Sequence, residues 1–137
     1  MHKQIFVNLP VKDLARAKEF WSSLGYSFDP KFSSDKAACI IFGESILVML
    51  LVEELFASFA HKPVCDAHER VEVLHAVSCD SREHVDTLIA KARAAGATIP
   101  DEAEDHGFMY AQGFYDLDGH GWNCCAWATE GDCKQTA

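Results

Sequence analysis

The side chains most capable of chemistry are concentrated near the C-terminal end of the chain, in the segment DLDGH at residues 116–120. Two carboxylates and an imidazole so close together resemble a donor set for a cation. The same residues also suit a tight turn, because Asp and Gly adopt the backbone angles that a hairpin turn needs. We favour the turn, with residues 108–115 and 121–127 as the two strands that it joins.

The six cysteines are the next candidates. None of them forms a Cys-x-x-Cys pair, so the spacing of a zinc site is absent. Cys124 and Cys125 suggest a soft-metal or arsenical site, but adjacent strand residues point to opposite faces and cannot easily chelate one ion. Cys125 beside a histidine would form a nucleophilic pair, although the sequence places no histidine there. We predict mainly free thiols, with Cys39 and Cys79 as small buried residues.

His106 follows the acidic residues 101–105 on a predicted loop near a sheet edge. At such a position a histidine can serve as a general base or as part of a lid. It can equally be a solvated loop residue, which is the interpretation that we favour.

Composition excludes several classes of protein. The chain has 137 residues, of which 49% are hydrophobic and 24% charged, as in one globular domain or two small halves that share a core. A formal net charge of -9 argues against nucleic-acid binding, which requires a basic face. No apolar run reaches the roughly 18 residues of a membrane span, and the N-terminus lacks a signal pattern. We therefore expect a cytoplasmic protein that binds neither membranes nor nucleic acids.

The pattern of hydrophobic residues and turns predicts the same β-α-β-β-β order twice. Each long helix ends at a glycine, Gly25 or Gly96, and a hairpin glycine follows each at a similar interval. Helices are predicted at residues 13–24, 53–59 and from an Asp80 cap to Gly96. Strands are predicted at residues 3–9, 26–32, 37–42, 46–52, 71–79, 97–102, 108–115 and 121–127.

Two such units make an α+β fold. Joining their sheets edge to edge predicts an open, mixed eight-stranded barrel with the helices outside and a cavity inside. We expect a single domain over residues 1–128, built from modules at residues 3–60 and 71–128. Residues 129–137 are polar and are predicted to be a flexible tail.

Residues 3–127 resemble the vicinal oxygen chelate superfamily of glyoxalases, bleomycin-resistance proteins and extradiol dioxygenases. The resemblance is carried by VKDL at residues 11–14 before a helix containing Phe20 and Trp21, and by LGY at residues 24–26. The turn at residues 116–120 is similar to the family's Asp-Pro-Asp-Gly-His/Asn motif. Membership implies paired βαβββ modules, a homodimer and a ligand cavity in the sheet.

Metal-dependent members of that family hold one divalent ion through His, Glu or Gln side chains on the first, fourth, fifth and eighth strands. The matching positions here are Phe6, Met49 or Leu50, Leu74 and Asn123. None of these is a good ligand for a hard or borderline cation, which needs nitrogen or oxygen donors. We therefore predict that the protein has no metal and no cofactor.

His75 lies one position from Leu74, so strand alternation directs it toward the helices rather than the cavity. Our first hypothesis is a metal-independent, glyoxalase/bleomycin-resistance-like protein that binds a small organic molecule, for sequestration or resistance. The alternative is a metalloenzyme of the lyase or dioxygenase type with an atypical ligand set that recruits His75, His106 or His120. A third hypothesis is a transferase or isomerase that uses cavity side chains alone.

Alternation from the same anchors predicts an aromatic, weakly polar cavity lining. The sequence assigns no catalytic residue, so the interpretation stops at binding. The predicted ligand-binding residues are Phe6, Asn8, Met49, Leu74, Ala76, Ser78, Phe108, Tyr110, Asn123 and Cys125.

Overall fold

The computed structural model describes residues 1–128, so the predicted tail at 129–137 lies outside the described residues. The chain divides into two compact units, Met1–Asp66 and a second one that begins at Ala67. Among the described residues, no helix is both long enough and apolar enough to cross a membrane.

The first unit has a four-stranded sheet in the order β1-β4-β3-β2, in which β1 runs parallel to β4 and the other pairs are antiparallel. Helix α1 packs against β3 and β4, and α2 packs against β1 and β4. The elements are β1 (Ile5–Val11), α1 (Leu14–Ser23), β2 (Ser27–Phe28), a 3-10 helix (Pro30–Phe32), β3 (Ala37–Gly43), β4 (Ile46–Val52) and α2 (Glu53–Ala60).

Helix α1 forms as its sequence predicts. The Asp13 side chain accepts a hydrogen bond from the backbone N–H of Arg16 at 3.1 Å, which satisfies one of the unpaired donors of the first turn. Ala17, Phe20 and Trp21 are buried, because their three- and four-residue spacing places them on one face. This face covers one side of the sheet.

Two predictions for the first unit are wrong. Pro10 does not end β1, which continues to Val11; β1 is an edge strand, where a missing N–H is tolerated. The strand predicted at 26–32 is only two residues long, Ser27–Phe28. Asp29 ends it, because its carboxylate accepts from the N–H of Lys31 at 2.9 Å and so caps the 3-10 helix.

The second unit repeats this topology with the sheet order β5-β8-β7-β6, in which β5 runs parallel to β8. Helix α3 packs against β7 and β8. The elements are β5 (Leu74–Ser78), α3 (Arg82–Ala94), β6 (Glu104–Asp105), β7 (Met109–Tyr115) and β8 (Gly121–Trp127). The predicted fold class, α+β with two βαβββ modules, is confirmed.

Three predictions for the second unit are wrong. Strand β5 begins at Leu74 rather than at residue 71. The α3 cap is Ser81, whose hydroxyl accepts from the N–H of His84 at 3.1 Å, whereas the backbone N–H of Asp80 donates to the His84 ring. The strand predicted at 97–102 contains Pro100, which cannot donate to a ladder; only a single bridge at Thr98 forms, and β6 lies further along.

Candidate functional site

In the first sheet, three of the predicted ligand-binding residues share a face. Asn8 pairs with Met49, and Phe6 is two residues before Asn8 on the same strand. Leu50 points the other way and is fully buried, so the fourth-strand position on the Phe6 face is Met49. The Phe6 ring packs edge-on against Phe32 of the 3-10 helix, with ring centroids 5.4 Å apart.

In the second sheet, five more predicted residues share a face. Ala76 pairs with Asn123 and Ser78 with Cys125, and Leu74 precedes Ala76 by two residues. Leu74, Ala76 and Ser78 are exposed, so this side of β5 is open. We call this side of the second sheet, opposite α3, the open face.

Tyr110 lies on the other side of the sheet. It pairs with Ala126, which points to the face opposite that of its neighbour Cys125. Its hydroxyl donates to the carboxylate of Asp86 on α3 at 2.6 Å, and this hydrogen bond raises the pKa of Tyr110. Tyr110 therefore links β7 to α3 and does not line the open face.

Phe108 precedes β7 and is half exposed. Its ring is stacked at 6.3 Å from that of Trp127, the last residue of β8. The pair forms an exposed aromatic surface at the end of the β7–β8 hairpin.

The open face carries a cavity of about 230 Å³. Its wall includes Leu74, Met109, Ala111 and Asn123 from three strands, and the overhanging residues 100–104. The side-chain amide of Gln112 holds this overhang by donating to the backbone carbonyl of Asp101 at 3.0 Å. The cavity is therefore bounded on one side by a segment fixed through a side-chain contact.

Gly113 keeps the amide of Asn123 accessible. A Cβ at this position would lie 3.0 Å from the Trp122 carbonyl oxygen and 3.7 Å from Oδ1 of Asn123. The absence of a side chain in the middle of β7 thus leaves room for a ligand atom beside the amide.

The rim of the cavity is acidic. Asp101, Glu102 and Glu104 all line it and are exposed. Glu104 forms a hydrogen-bonded pair with Nε2 of His106 at 3.0 Å. His106 is therefore held at the surface beside the rim by a carboxylate.

Asp116 is committed to the hairpin turn. It is buried, and its Oδ1 accepts from the N–H groups of Asp118 and His120 at 2.9 and 3.0 Å. Its Oδ2 accepts from Nε1 of Trp122 at 2.9 Å. Burial raises the pKa of Asp116, opposed by His120 and by these hydrogen bonds. This carboxylate organises the turn instead of facing a cation.

His75 lies on the face opposite Leu74 and Asn123. It pairs with Trp122, and the two rings are 4.7 Å apart. Its Nε2 is buried and has no hydrogen-bond partner among the described residues. Burial, and to a lesser extent the nearby His120, lowers the pKa of His75, so the ring is held in the neutral form.

The residues present do not fit the ion that the family resemblance implies. The four matching positions carry the phenyl ring of Phe6, the thioether of Met49, the aliphatic side chain of Leu74 and the amide of Asn123. A hard or borderline ion needs three or four nitrogen or oxygen donors. Within residues 1–128, no three His, Cys, Asp or Glu side chains are grouped so as to hold a metal.

Sequence reasoning missed Gln112, Gly113 and the overhanging residues 100–104. Gly113 had a detectable signal, because a glycine inside a strand often marks the close approach of a ligand. The overhang had none, because its position depends on the contact between Gln112 and Asp101.

The fold and the arrangement of strands are those of the glyoxalase/bleomycin-resistance fold. The chain is similar to the solved structure of hypothetical protein SA1046 from S. aureus, with 27% identity, 92% of this chain and 94% of that chain covered, and a TM-score of 0.79. A glyoxalase/bleomycin resistance protein/dioxygenase family enzyme from Burkholderia phytofirmans PsJN is 18% identical over 90% of this chain and 97% of that one, with a TM-score of 0.74.

A third similar structure is the fosfomycin resistance protein FosX from Listeria monocytogenes. It is 18% identical over 97% of this chain and 98% of that one, with a TM-score of 0.67. Residues 3–43 match the family described as bleomycin resistance protein-like N-terminal. No functionally curated protein matches the chain by sequence. The predicted resemblance to the vicinal oxygen chelate superfamily is confirmed in the fold and in the match of residues 3–43.

Proposed function

We propose that this protein binds a small, partly apolar organic molecule in the cavity of the open face without a bound metal ion. The observation that carries the proposal is the cavity itself, with Leu74 and Asn123 at positions where the family resemblance implies metal ligands. Its polar groups orient a ligand by hydrogen bonds and do not activate it through an ion. This is the glyoxalase/bleomycin-resistance-like function that the sequence predicted.

The size and lining of the cavity support a small ligand. Its volume of about 230 Å³ is below the roughly 300–1,000 Å³ of pockets for drug-sized molecules. Leu74, Met109 and Ala111 supply apolar contacts, and the Asn123 amide can both donate and accept hydrogen bonds. The combination suits a compact molecule with an apolar body and one or two polar groups.

Sequestration or resistance is the biological role that we attach to this binding. It is supported by the bleomycin resistance protein-like match and by the named resistance role of the similar Listeria protein. Our proposal also includes the homodimer that the resemblance implies and a cytoplasmic location.

Native mass spectrometry of protein purified without added metal is the first test. We expect a dimer mass without a stoichiometric ion, together with any retained small molecule. Stoichiometric nickel, zinc, manganese or iron would contradict the metal-free proposal. Turnover of a bound compound, rather than its unchanged release, would contradict sequestration.

Substitution of Asn123 is the second test. Asn123→Leu removes the hydrogen-bonding amide, so we expect about tenfold weaker binding of a retained ligand or of a neutral aromatic probe with a hydrogen-bonding group. Ser58→Ala on α2 is the matched control, because Ser58 is not among the residues that line this cavity and its hydroxyl donates to the Leu55 carbonyl of the same helix. Equal affinities for both variants would place the binding site elsewhere.

One observation favours the alternative, a metalloenzyme with an atypical ligand set. The buried Nε2 of His75 has no partner among the described residues, and His120 is close enough to lower the pKa of His75. If the purified protein contains a stoichiometric ion, its loss in His75→Ala would identify His75 as a ligand. Retention of the ion in that variant would reject this set.

A further inference from the structure

Two buried cysteines lie side by side where β5 and β8 run parallel. Cys124 pairs with Val77, and Cys79 follows Ser78, the last residue of β5. Because alternate residues share a face, Cys79 and Cys124 both lie on the α3 side of the sheet. Their exposed fractions are 9% and 0%.

The two side chains are diagonal neighbours on adjacent strands, because Cys79 lies two positions beyond Val77, the residue opposite Cys124. The sulfurs are close enough for the thiol of Cys124 to lower the pKa of Cys79. The backbone N–H of Cys79 donates to the carbonyl of Cys125 at 2.7 Å, which anchors Cys79 at the end of the parallel pair. The side chain of Cys125 itself lies on the open face.

We propose that Cys79 and Cys124 form a redox modification site, in which a peroxide converts the two thiols into an intrachain disulfide. The site is separate from the cavity, whose lining includes neither residue. A disulfide requires Cα atoms within about 7 Å of each other. Cys79 and Cys124 are diagonal neighbours on adjacent strands, so forming the bond requires a shift of the backbone at Cys79, the residue that follows β5.

The surroundings assign different roles to the two thiols. The hydrogen bond from Cys124 lowers the pKa of Cys79, against burial and the nearby Asp80. The same bond and burial raise the pKa of Cys124. Since the thiolate is the nucleophile and Cys79 is also the more exposed of the two, Cys79 attacks the oxidant and Cys124 resolves the product.

The reaction balances with hydrogen peroxide as the oxidant. The Cys79 thiolate attacks one peroxide oxygen, the O–O bond breaks, and the leaving hydroxide takes up a proton to form water. Cys79 is then a sulfenic acid. The Cys124 sulfur attacks the Cys79 sulfur, its proton and the departing hydroxide form a second water, and the S–S bond is made. Two thiols are oxidised and one peroxide is reduced to two waters.

The experiment starts from a Cys65→Ser/Cys133→Ser background, because Cys65 is exposed and Cys133 lies outside the described residues. The folded protein is treated with hydrogen peroxide, blocked with N-ethylmaleimide in denaturant and mapped without reduction. We expect one new cross-linked peptide pair joining Cys79 to Cys124. The mass of this pair should be two hydrogens below the sum of the two reduced peptides. Treatment with dithiothreitol should release the two separate peptides.

Three variants separate the possible outcomes. Cys125→Ser is the matched control and should keep the cross-link, because its side chain is on the opposite face. Cys124→Ser should lose the cross-link and accumulate a sulfenic acid at Cys79 that dimedone traps. Cys79→Ser should lose both signals.

Two results would overturn the proposal in the folded background protein. One is a cross-link that uses Cys125 in place of Cys124. The other is full maleimide labelling of both Cys79 and Cys124 after exposure to excess peroxide. These readouts in the background protein do not depend on the folding of any further variant.

Discussion

At the scale of single residues, the neutral state of His75 makes a prediction about pH. Because the pKa of His75 in the folded protein lies below its ordinary value of 6.5, the folded state binds fewer protons on this ring than the unfolded state. The stability that the neutral His75 ring contributes is therefore fully present above pH 6.5, the ordinary pKa, and is lost as the pH falls through the lowered pKa of the folded state. Acidification must add a proton to a ring packed against Trp122.

We expect His75→Phe to reduce this acid sensitivity. Phenylalanine keeps an aromatic ring against Trp122 and removes the unpartnered buried nitrogen. The free energy of unfolding, measured by urea denaturation between about pH 7.5 and about pH 5, should fall less for this variant than for the wild type. His2→Gln, at an exposed N-terminal position, should behave like the wild type. Parallel curves for His75→Phe and the wild type would show that the ring is not protonated in this range.

At the scale of elements, the turn between β7 and β8 depends on Gly119. Its φ is +87°, and an added Cβ would lie 2.7 Å from the backbone of Ala67 and His68. We expect Gly119→Ala to lower the free energy of unfolding by about 3 kcal/mol, from the unfavourable backbone conformation and the clash together.

The control for this substitution is the glycine of the other hairpin. A Cβ on Gly43 would meet only the Ile46 side chain, at an ordinary 3.5 Å. Gly43→Ala should therefore change the stability by less than about 1 kcal/mol. Chemical denaturation of both variants measures the difference, and similar losses would mean that the backbone of residues 67–68 moves away from the turn.

The start of α3 gives a second test at this scale. Ser81→Ala removes the acceptor for the N–H of His84 and should cost about 1 kcal/mol in thermal or chemical unfolding. Asp80→Ala should cost less, because the structure uses only the backbone of Asp80 in this cap. A larger loss for Asp80→Ala would support the Asp80 cap that the sequence predicted.

These elements also show which features can be predicted from sequence. Local signals were sufficient for α1, where Asp13 and the Ala17, Phe20 and Trp21 spacing specify both the start and the buried face. Strand alternation predicts that Asn123 and Cys125 share one face of β8, and in the structure they pair with Ala76 and Ser78 of β5.

The incorrect predictions depended on choices that local patterns leave open. Asp80 and Ser81 are both good cap residues, and which one caps α3 depends on the position of His84. The face of Tyr110 depends on the pairing of β7 with β8, and its contact with Asp86 lies 24 positions away in sequence. The cavity wall at residues 100–104 likewise needs a tertiary contact.

At the scale of the whole molecule, the sequence uses one topology twice. In each unit the first strand pairs in parallel with the last strand and forms an edge of the sheet. In the second unit α3 covers one face of the sheet, and the cavity lies on the other face. Chemistry-bearing side chains are then distributed by strand parity: amide and aliphatic groups face the cavity, whereas His75, Cys79 and Cys124 face α3.

The charge distribution of the molecule predicts which ligands the cavity rejects. The chain has a net charge of -9, and Asp101, Glu102 and Glu104 stand at the rim. We expect neutral N-phenyl-1-naphthylamine to bind about tenfold more tightly at low salt than its sulfonated analogue, 8-anilinonaphthalene-1-sulfonate, because an anion there is repelled by nearby carboxylates. Added salt should strengthen binding of the sulfonate only, since screening weakens this repulsion.

Substitutions at the rim test this electrostatic explanation. Asp101→Asn/Glu102→Gln should narrow the difference in affinity between the two probes, measured by fluorescence titration, whereas Glu44→Gln/Glu53→Gln, in the first unit, should not. Equal affinities at low salt would mean that the probes bind outside this rim.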